Sequence, residues 1–427
     1  MKSFKILEEK IVAYLVCSIV PFLAFSIFFA DLLCSVLSLF FLFYLIKRSP
    51  TFFYKNNFFI LILCFYILCL ISSFLSGEIF FSLKSSLPLI RIIFLIFLIS
   101  FLINNNKHFL NIFYNFLKYT FLILIFFGLA QYTYEYYLLF INDLLEISHI
   151  RLTLPFSDEG KLGSFLVRLY GLLIATYILE KNYKKSENII LILLSVLMSA
   201  VILLSGERSS LFFLILFFLI SFFCINFKLK FKIYSILSFF IVLLFILSIN
   251  SNLSNRILFD QNNKISITTE KNDLIIFTSQ HTAHYLSGFK MFQDKPVIGQ
   301  GPRMFRLLCD NEDFRVSINN KKSCSSHPHN TYIQLLAETG FIGALLFSLG
   351  FFHIIINLSK HSIKKFFFKK NKLNNYQVIL SVSALLVFWP FSPSGNFFNN
   401  WILIIYAFPL SFYFNEFFKK YNIFVKN

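Results

Sequence analysis

The chain has few charged residues, which excludes most soluble folds. Charged residues make up 14% of its 427 positions, against roughly 25% in soluble domains. Hydrophobic residues make up 57%, and Phe alone occurs 62 times. Apolar runs long enough to cross a hydrocarbon core of about 30 Å as a helix recur along the whole sequence. The composition therefore predicts an all-α polytopic membrane protein.

The sequence also lacks the short motifs of nucleotide and hydrolase chemistry. It has no P-loop, no glycine fingerprint for a dinucleotide and no GxSxG elbow. His327 and His329 form a His-x-His pair, but the HExxH motif and a companion Cys/His quartet for zinc are missing. We therefore expect no cofactor and no metal.

Acidic residues are scarce beside basic ones, with 21 Asp and Glu against 39 Lys and Arg, for a net charge of +18. Such an excess can indicate a nucleic-acid partner. The basic residues here fall mainly at alternate connections between apolar runs, whereas connections such as 76–78 and 392–400 carry none. This is the pattern of the positive-inside rule. It predicts cytoplasmic termini and no nucleic-acid binding.

Apolar runs and charge alternation together predict about twelve transmembrane helices. The predicted spans are 11–30, 31–46, 57–75, 86–103, 113–134, 163–180, 187–205, 209–226, 233–250, 330–357, 376–392 and 401–417. The one long hydrophilic segment, 251–329, separates the ninth and tenth spans on the outer side. Within it, the pattern predicts a helix near 281–292, where His281 and His284 share a face as surface residues, and a tight loop at 299–302.

Two histidines stand where the long hydrophilic segment meets the tenth span. Imidazole can accept a proton near neutral pH, so His327 and His329 are candidate bases. The alternative is that they only cap the next helix. Asn330 is of a residue type that caps helices. Glu338 lies about two turns deeper, where it can orient a polar neighbour or pair inside the bundle.

Arginines in or beside spans are costly and therefore favour a function. Four meet that description: Arg91, Arg151, Arg168 and Arg208. Arg303 belongs to the same outer side as the last three. Guanidinium bonds phosphate in a bidentate manner, so a cluster fits a diphosphate at the lipid headgroup level. The alternative is that each Arg reaches lipid phosphates or pairs with an acidic neighbour such as Glu207.

Cys309 and Cys324 are the only two of the seven cysteines in the long outer segment. An even pair in an oxidising compartment favours a disulfide. Two free thiols are the alternative.

Four sequence elements resemble the bacterial O-antigen ligase and O-antigen polymerase superfamily. The most specific is HPHNTYxQxLxExGxxG at 327–343, which follows GFKMFxDxPxIGxGxxxFR at 288–306. The others are SGERS at 205–209 and the segment 151–168, which runs from Arg151 to Arg168. The resemblance divides the chain into 1–150 with five spans, a ligase-like region 151–357 with spans six to ten, and 358–427 with the last two spans.

The resemblance implies a twelve-helix inverting glycosyltransferase of the bacterial inner membrane, with its large loop and active site in the periplasm. The donor is then a glycan on undecaprenyl diphosphate, and no nucleotide or metal is needed. Ligases pass the glycan to the lipid A core, whereas polymerases pass it to another lipid-linked glycan. We place the ligase first and the polymerase second. A protein O-oligosaccharyltransferase and a transporter of lipid-linked sugars are further alternatives.

Resemblance and chemistry together assign roles to the candidate residues. His329 is the expected general base, with His327 second. The donor diphosphate is expected to bind Arg208 first, followed by Arg168, Arg151 and Arg303. The supporting residues are Glu207, Asn330 and Glu338.

Overall fold

The structure is a computed structural model that describes residues 2–48, 57–141, 152–156, 160–179, 185–226, 237, 241, 248, 279–318 and 321–417. Its helices are α1 Lys2–Phe25, α2 Ile27–Arg48, α3 Asn57–Phe74, α4 Ile79–Ser86, α5 Leu89–Asn105, α6 Phe109–Ile141, α7 Leu162–Leu179, α8 Lys185–Leu204, α9 Arg208–Cys224, α10 Ser279–Asp294, α11 Phe305–Leu308, α12 Thr331–Phe368, α13 Asn375–Phe388 and α14 Asn400–Phe417. The described residues also include one short antiparallel strand pair, β1 Ser317–Ile318 and β2 Lys321–Lys322.

Six helical segments in the described part are long and apolar enough to cross a membrane. They are α2, the combined α4–α5, α6, α7, α8 and α12. Four shorter apolar helices lie in α1, α3, α9 and α13. These helices confirm an all-α polytopic membrane protein, while the count of twelve stays a prediction. The span predicted at 233–250 lies almost entirely outside the described residues.

The first two helices meet at Ser26 and not after residue 30 as the sequence reading predicted. The expected break fell beside Asp31, a polar residue between two apolar runs. In the structure Asp31 is helical, and its Oδ1 pairs with Nη2 of Arg91 at 2.7 Å. Arg91 also donates to Ser35 Oγ at 2.8 Å. Arg91 is therefore an interhelical tie between α2 and α5, and its presence in a span has a structural explanation.

The bundle core forms where apolar faces of distant helices meet. α7 packs against α13, α9 and α14, while α5 packs against α14 and α2. Large side chains such as Phe165, Phe217 and Phe408 are fully buried there. The helices α7, α9 and α14 therefore form one corner of the bundle, and α12 with α13 closes its side.

α12 is kinked at Gly340, whose φ of 67° is left-handed. The kink frees backbone groups that a regular helix would pair internally, and such groups are tolerated at membrane depth only when they are satisfied by protein. The outer segment supplies the partners. Gln300 N donates to Ala337 O at 2.9 Å, and Phe341 N donates to Pro296 O at 2.8 Å. The turn at 296–301 is thus bonded directly to the kink.

Glycine is required on both sides of this contact. Gly299 has φ 70° and Gly340 has φ 67°, values that a residue with a Cβ adopts only at a cost. A Cβ on Gly299 would overlap the backbone of Glu338, and one on Gly340 would overlap Val297. The sequence elements IGxG and ExG, which lie about 40 residues apart, therefore form one close backbone crossing.

We expect Gly340→Ala to lower the stability of the protein. Left-handed backbone at a non-glycine residue costs about 1–3 kcal/mol, and the overlap with Val297 adds to that cost. The thermal unfolding midpoint of the purified protein in detergent measures the effect. Gly77→Ala is the matched control, because its Cβ would meet nothing within 4 Å. Equal midpoints for the two variants would show that the crossing does not constrain the fold.

Candidate active site

The first turn of α12 fixes the position of the loop that carries His327 and His329, the histidine loop. Asn330 caps the helix, since its Oδ1 accepts from Tyr332 N at 2.9 Å and from Ile333 N at 3.1 Å. Its Nδ2 donates to Pro390 O at 2.8 Å. His329 has a left-handed backbone with φ 57°, and its carbonyl oxygen accepts from Ser394 N at 2.9 Å. Bonds to the 390–394 segment therefore hold the loop in place.

Four imidazoles gather at this point. The His329 ring centroid lies 4.2 Å from that of His327, 5.2 Å from that of His284 and 5.7 Å from that of His281. The sequence reading placed His281 and His284 at the surface. For His284 that was wrong, because its exposed fraction is 1%. α10 packs on α12, and this contact between distant segments covers the ring.

His327 has both ring nitrogens in hydrogen bonds. Nε2 lies 3.0 Å from the carbonyl oxygen of Ser394, and Nδ1 lies 2.8 Å from Oγ of Ser326. A carbonyl oxygen only accepts, so we assign the proton to Nε2, and Nδ1 then accepts from the Ser326 hydroxyl. Burial also lowers the pKa of His327. The ring is therefore held neutral as a structural support, which makes it the weaker candidate for the base.

His329 differs from His327 in its bonding. No hydrogen bond to its ring is found among the described residues, and the residue is half-buried. Burial, followed by the nearby imidazoles of His327, His284 and His281, lowers the pKa of His329 to about 3. The ring is therefore neutral near pH 7, with a lone pair available to take a proton.

Glu207 joins the start of α9 to the start of α7. Its carboxylate accepts from Gly163 N at 2.8 Å, from Ser164 N at 3.0 Å and from Ser210 Oγ at 2.7 Å. An acidic group at a helix N-terminus is stabilised by the unpaired N–H groups there. The bonds to Glu207 therefore bring Arg208, the exposed first residue of α9, to the same end of the bundle as the start of α7.

Arg168 lies nearly two turns inside α7 and is 6% exposed. Its Nε donates to Ser164 Oγ at 3.1 Å. Its guanidinium lies 5.1 Å from the ring centroid of Phe213 and 4.9 Å from that of Tyr406. Within the described part of the chain, the buried Nη1 has no hydrogen-bond partner. The side chain is held by two rings and keeps donor capacity for an anion.

Arg168 and Arg208, near the starts of α7 and α9, form an arginine corner. A chain of contacts connects this corner to the histidine loop. Phe212, one turn after Arg208, packs on Trp389 with ring centroids 6.0 Å apart. Trp389 adjoins Pro390, which accepts the hydrogen bond from Asn330. The first turn of α9 and the N-cap residue of α12 therefore both contact the same short segment, 389–394.

Residues 193–348 match the family model described as O-antigen ligase. This segment is similar to the O-antigen ligase family. The match confirms the resemblance that the motifs indicated and covers Arg208, His327, His329 and Glu338. Arg168 lies before it. No curated protein and no solved structure gives a match to the chain. The family and the apolar helices together indicate a bacterial membrane protein.

Within the matched segment, Arg303 contacts a different helix from those that hold Arg168. Its backbone is left-handed with φ 63°. Its Nη1 lies 3.5 Å from Ser85 Oγ, and its guanidinium lies 5.9 Å from the Phe81 ring centroid. Burial lowers the pKa of Arg303. The structure thus places Arg303 against α4, whereas Arg168 and Arg208 lie at the α7–α9 corner. Arg151 lies outside the described residues.

Glu338 is fully buried and supports the turn that carries Arg303. Its Oε1 accepts from Phe305 N at 3.1 Å, and its Oε2 accepts from Gln334 Nε2 at 2.9 Å. Gln334 also donates to Asn396 Oδ1 at 2.8 Å. The sequence reading missed Gln334, although its position one turn before Glu338 was the available signal. This network ties the outer segment, α12 and the 396 region together.

A disulfide joins Cys309 to Cys324, with the Cα atoms 4.9 Å apart. It links the end of α11 to the strand–loop segment just before His327. Ser323, beside Cys324, accepts a hydrogen bond from His284 through its carbonyl oxygen at 2.7 Å. The disulfide therefore lies next to the imidazole cluster and restrains the loop that carries it.

Proposed function

We propose that the protein is an inverting, metal-independent membrane glycosyltransferase of the O-antigen ligase type. It moves a glycan from undecaprenyl diphosphate to a hydroxyl of the lipid A core. The observation that carries the proposal is that a neutral imidazole residue, His329, and the first turn of α9, which begins with Arg208, both contact the 389–394 segment. The family match supports the same class of reaction.

The chemistry needs a proton acceptor and a stabilised leaving group. The acceptor oxygen attacks the anomeric carbon of the donor sugar, and the bond from that carbon to the diphosphate oxygen breaks. The hydroxyl proton moves to a ring nitrogen of His329, and the diphosphate leaves with the bonding electron pair. A neutral imidazole is suited to the first task. Preorganised guanidinium groups are suited to the second, because they stabilise charge where it develops.

Arg168 is the best supported ligand for the donor diphosphate. Its guanidinium is buried and held by the Phe213 and Tyr406 rings, and its Nη1 has no partner within the described residues. Arg208, exposed at the start of α9, is the second ligand at this corner. Arg151 and Arg303 remain further candidates. Phosphate oxygens accept the charge-assisted bonds that such groups donate.

The site belongs on the periplasmic face of a bacterial inner membrane, since the donor and acceptor classes meet there. A polymerase would use the same base and the same diphosphate ligands, with another lipid-linked glycan as acceptor. The two functions differ in the acceptor alone. The identity of the acceptor is therefore what an experiment must determine.

The decisive experiment uses the purified full chain in proteoliposomes with a lipid-linked single repeat, in the presence and absence of lipid A core. We expect the core to gain the glycan and the repeat to stay unchanged without core. Elongation of the repeat without core would identify a polymerase. Transfer of the glycan to a protein added to the assay would identify a protein O-oligosaccharyltransferase. Movement of the donor across the bilayer without covalent transfer would exclude a transferase.

A further inference from the structure

His284 has a buried ring nitrogen that the fold leaves unsatisfied. The residue lies on α10 and is 1% exposed. Its Nδ1 is 2.7 Å from the carbonyl oxygen of Ser323. Its Nε2 is buried and has no hydrogen-bond partner among the described residues. Buried polar atoms are rarely left in this state, and each exception calls for an explanation.

The bond to Ser323 decides which nitrogen carries the proton. A carbonyl oxygen cannot donate, so Nδ1 of His284 is the donor, and Nε2 of the neutral ring carries a lone pair. As a hydrogen-bond acceptor, this lone pair is satisfied by an incoming N–H or O–H group. The unsatisfied atom is therefore a preformed acceptor that lies within the outer segment.

His329 is placed to supply that donor. The ring centroids of His284 and His329 are 5.2 Å apart, with an interplanar angle of 40°. The His329 ring has no hydrogen bond within the described part of the chain, so rotation about its side-chain bonds breaks none. Catalytic hydrogen bonds are often open in a resting site and close when substrate is bound.

We propose that His284 is a positioning residue that accepts a hydrogen bond from one ring N–H of His329 and so leaves the other nitrogen of His329 to take the acceptor proton. This inference rests on the proposed function. In the neutral His329 ring, the single N–H faces His284 Nε2, and the remaining lone pair faces the acceptor hydroxyl. When the acceptor O–H bond breaks, a new N–H bond forms at that second nitrogen, and the positive charge is shared with the His284 bond.

The arrangement answers a difficulty in using His329 as a base. A half-buried imidazole surrounded by other imidazoles is neutral and ready, but it holds an added proton weakly. A fixed lone pair beside it favours the protonated form, in the way that an orienting acceptor supports the histidine of a hydrolytic triad. His327 cannot take this part, because both of its nitrogens are already bonded.

Two substitutions separate positioning from loop support. His284→Asn keeps an N–H donor near the Nδ1 position for the Ser323 carbonyl but removes the acceptor at Nε2. His284→Gln extends its amide to the Nε2 position, where the amide oxygen can accept. We expect kcat of His284→Asn to fall about tenfold to 100-fold. This loss is smaller than the loss of about 10²- to 10⁴-fold expected when a general base itself is removed. We expect its KM values to stay within about twofold and His284→Gln to recover part of kcat.

The measurement is glycan transfer by the full chain in proteoliposomes, alongside the thermal midpoint and the state of the Cys309–Cys324 disulfide. His108→Asn, at an exposed position, is the control. Wild-type kcat in His284→Asn would overturn the inference. Equal losses in the Asn and Gln variants with a lowered midpoint would also overturn it, because His284 would then only support the loop. No transfer by the wild-type chain to any acceptor would reject the proposed function itself, and this inference with it.

Discussion

Replacement of His329 by alanine is expected to reduce glycan transfer by about 10²- to 10⁴-fold, the usual contribution of a positioned general base. The residue offers a neutral ring whose nitrogens have no hydrogen bond among the described residues, so its removal breaks no hydrogen bond there. The fold should therefore survive the change. Initial rates of glycan transfer in proteoliposomes measure the effect.

The comparison needs a histidine outside the imidazole cluster. His108 is exposed in the connection between α5 and α6, and His108→Ala should transfer glycan at the wild-type rate. A His329→Ala variant with wild-type transfer would remove this residue from the mechanism. An unfolded variant would be recognised by loss of its thermal midpoint, and His329→Gln then repeats the test with less change in volume.

The pH profile provides a second measurement on the same residue. Burial and the neighbouring imidazoles lower the pKa of His329 to about 3. A lowered pKa keeps the base unprotonated at pH values where an ordinary imidazole, with a pKa near 6.5, is already charged. The acid limb of kcat/KM, which reports the free enzyme, should therefore lie well below pH 6.5. A limb at or above that value would show that the cluster does not depress the basicity of His329.

Residue type and local position were enough to predict some of the site. A histidine at the end of the outer segment, a capping Asn330 and an arginine one turn inside a span can each be read from a few adjacent residues. Arg168 is an example, because charge within an apolar run is costly wherever its partners lie. The apolar runs likewise predicted membrane-spanning helices, because each run is long enough to cross the hydrocarbon core.

Partners far apart in the chain were not predictable. The sequence gives no sign that Asp31 neutralises Arg91 across two helices, and it suggests a helix break where the ion pair lies. It also does not indicate that His284 is buried where α10 packs on α12, or that Gly299 meets Gly340. Periodicity reports which face of a segment is apolar, but not which segment covers that face.

Replacement of Arg168 by lysine is expected to lower kcat/KM for the lipid-linked donor by about 10²-fold or more, the usual loss on removal of one preorganised charge-stabilising donor. Lysine keeps the positive charge but loses the planar fork that lies between the Phe213 and Tyr406 rings. It cannot bond Ser164 and a phosphate oxygen from one rigid group. Transfer rates at varied donor concentration measure the effect.

The control is Arg315→Lys, since Arg315 is an exposed arginine in the outer segment. Its Nε lies 4.0 Å from Asp310 Oδ1, and its Nη2 donates to the Asp310 carbonyl oxygen at 2.8 Å. Its kcat/KM should match the wild type. A purely structural role for Arg168 predicts the opposite of our expectation: a lowered thermal midpoint with kcat/KM preserved in the molecules that remain folded. A loss confined to kcat/KM, with the midpoint unchanged, supports direct contact of the buried guanidinium with the donor, because within the described residues its Nη1 has no hydrogen-bond partner.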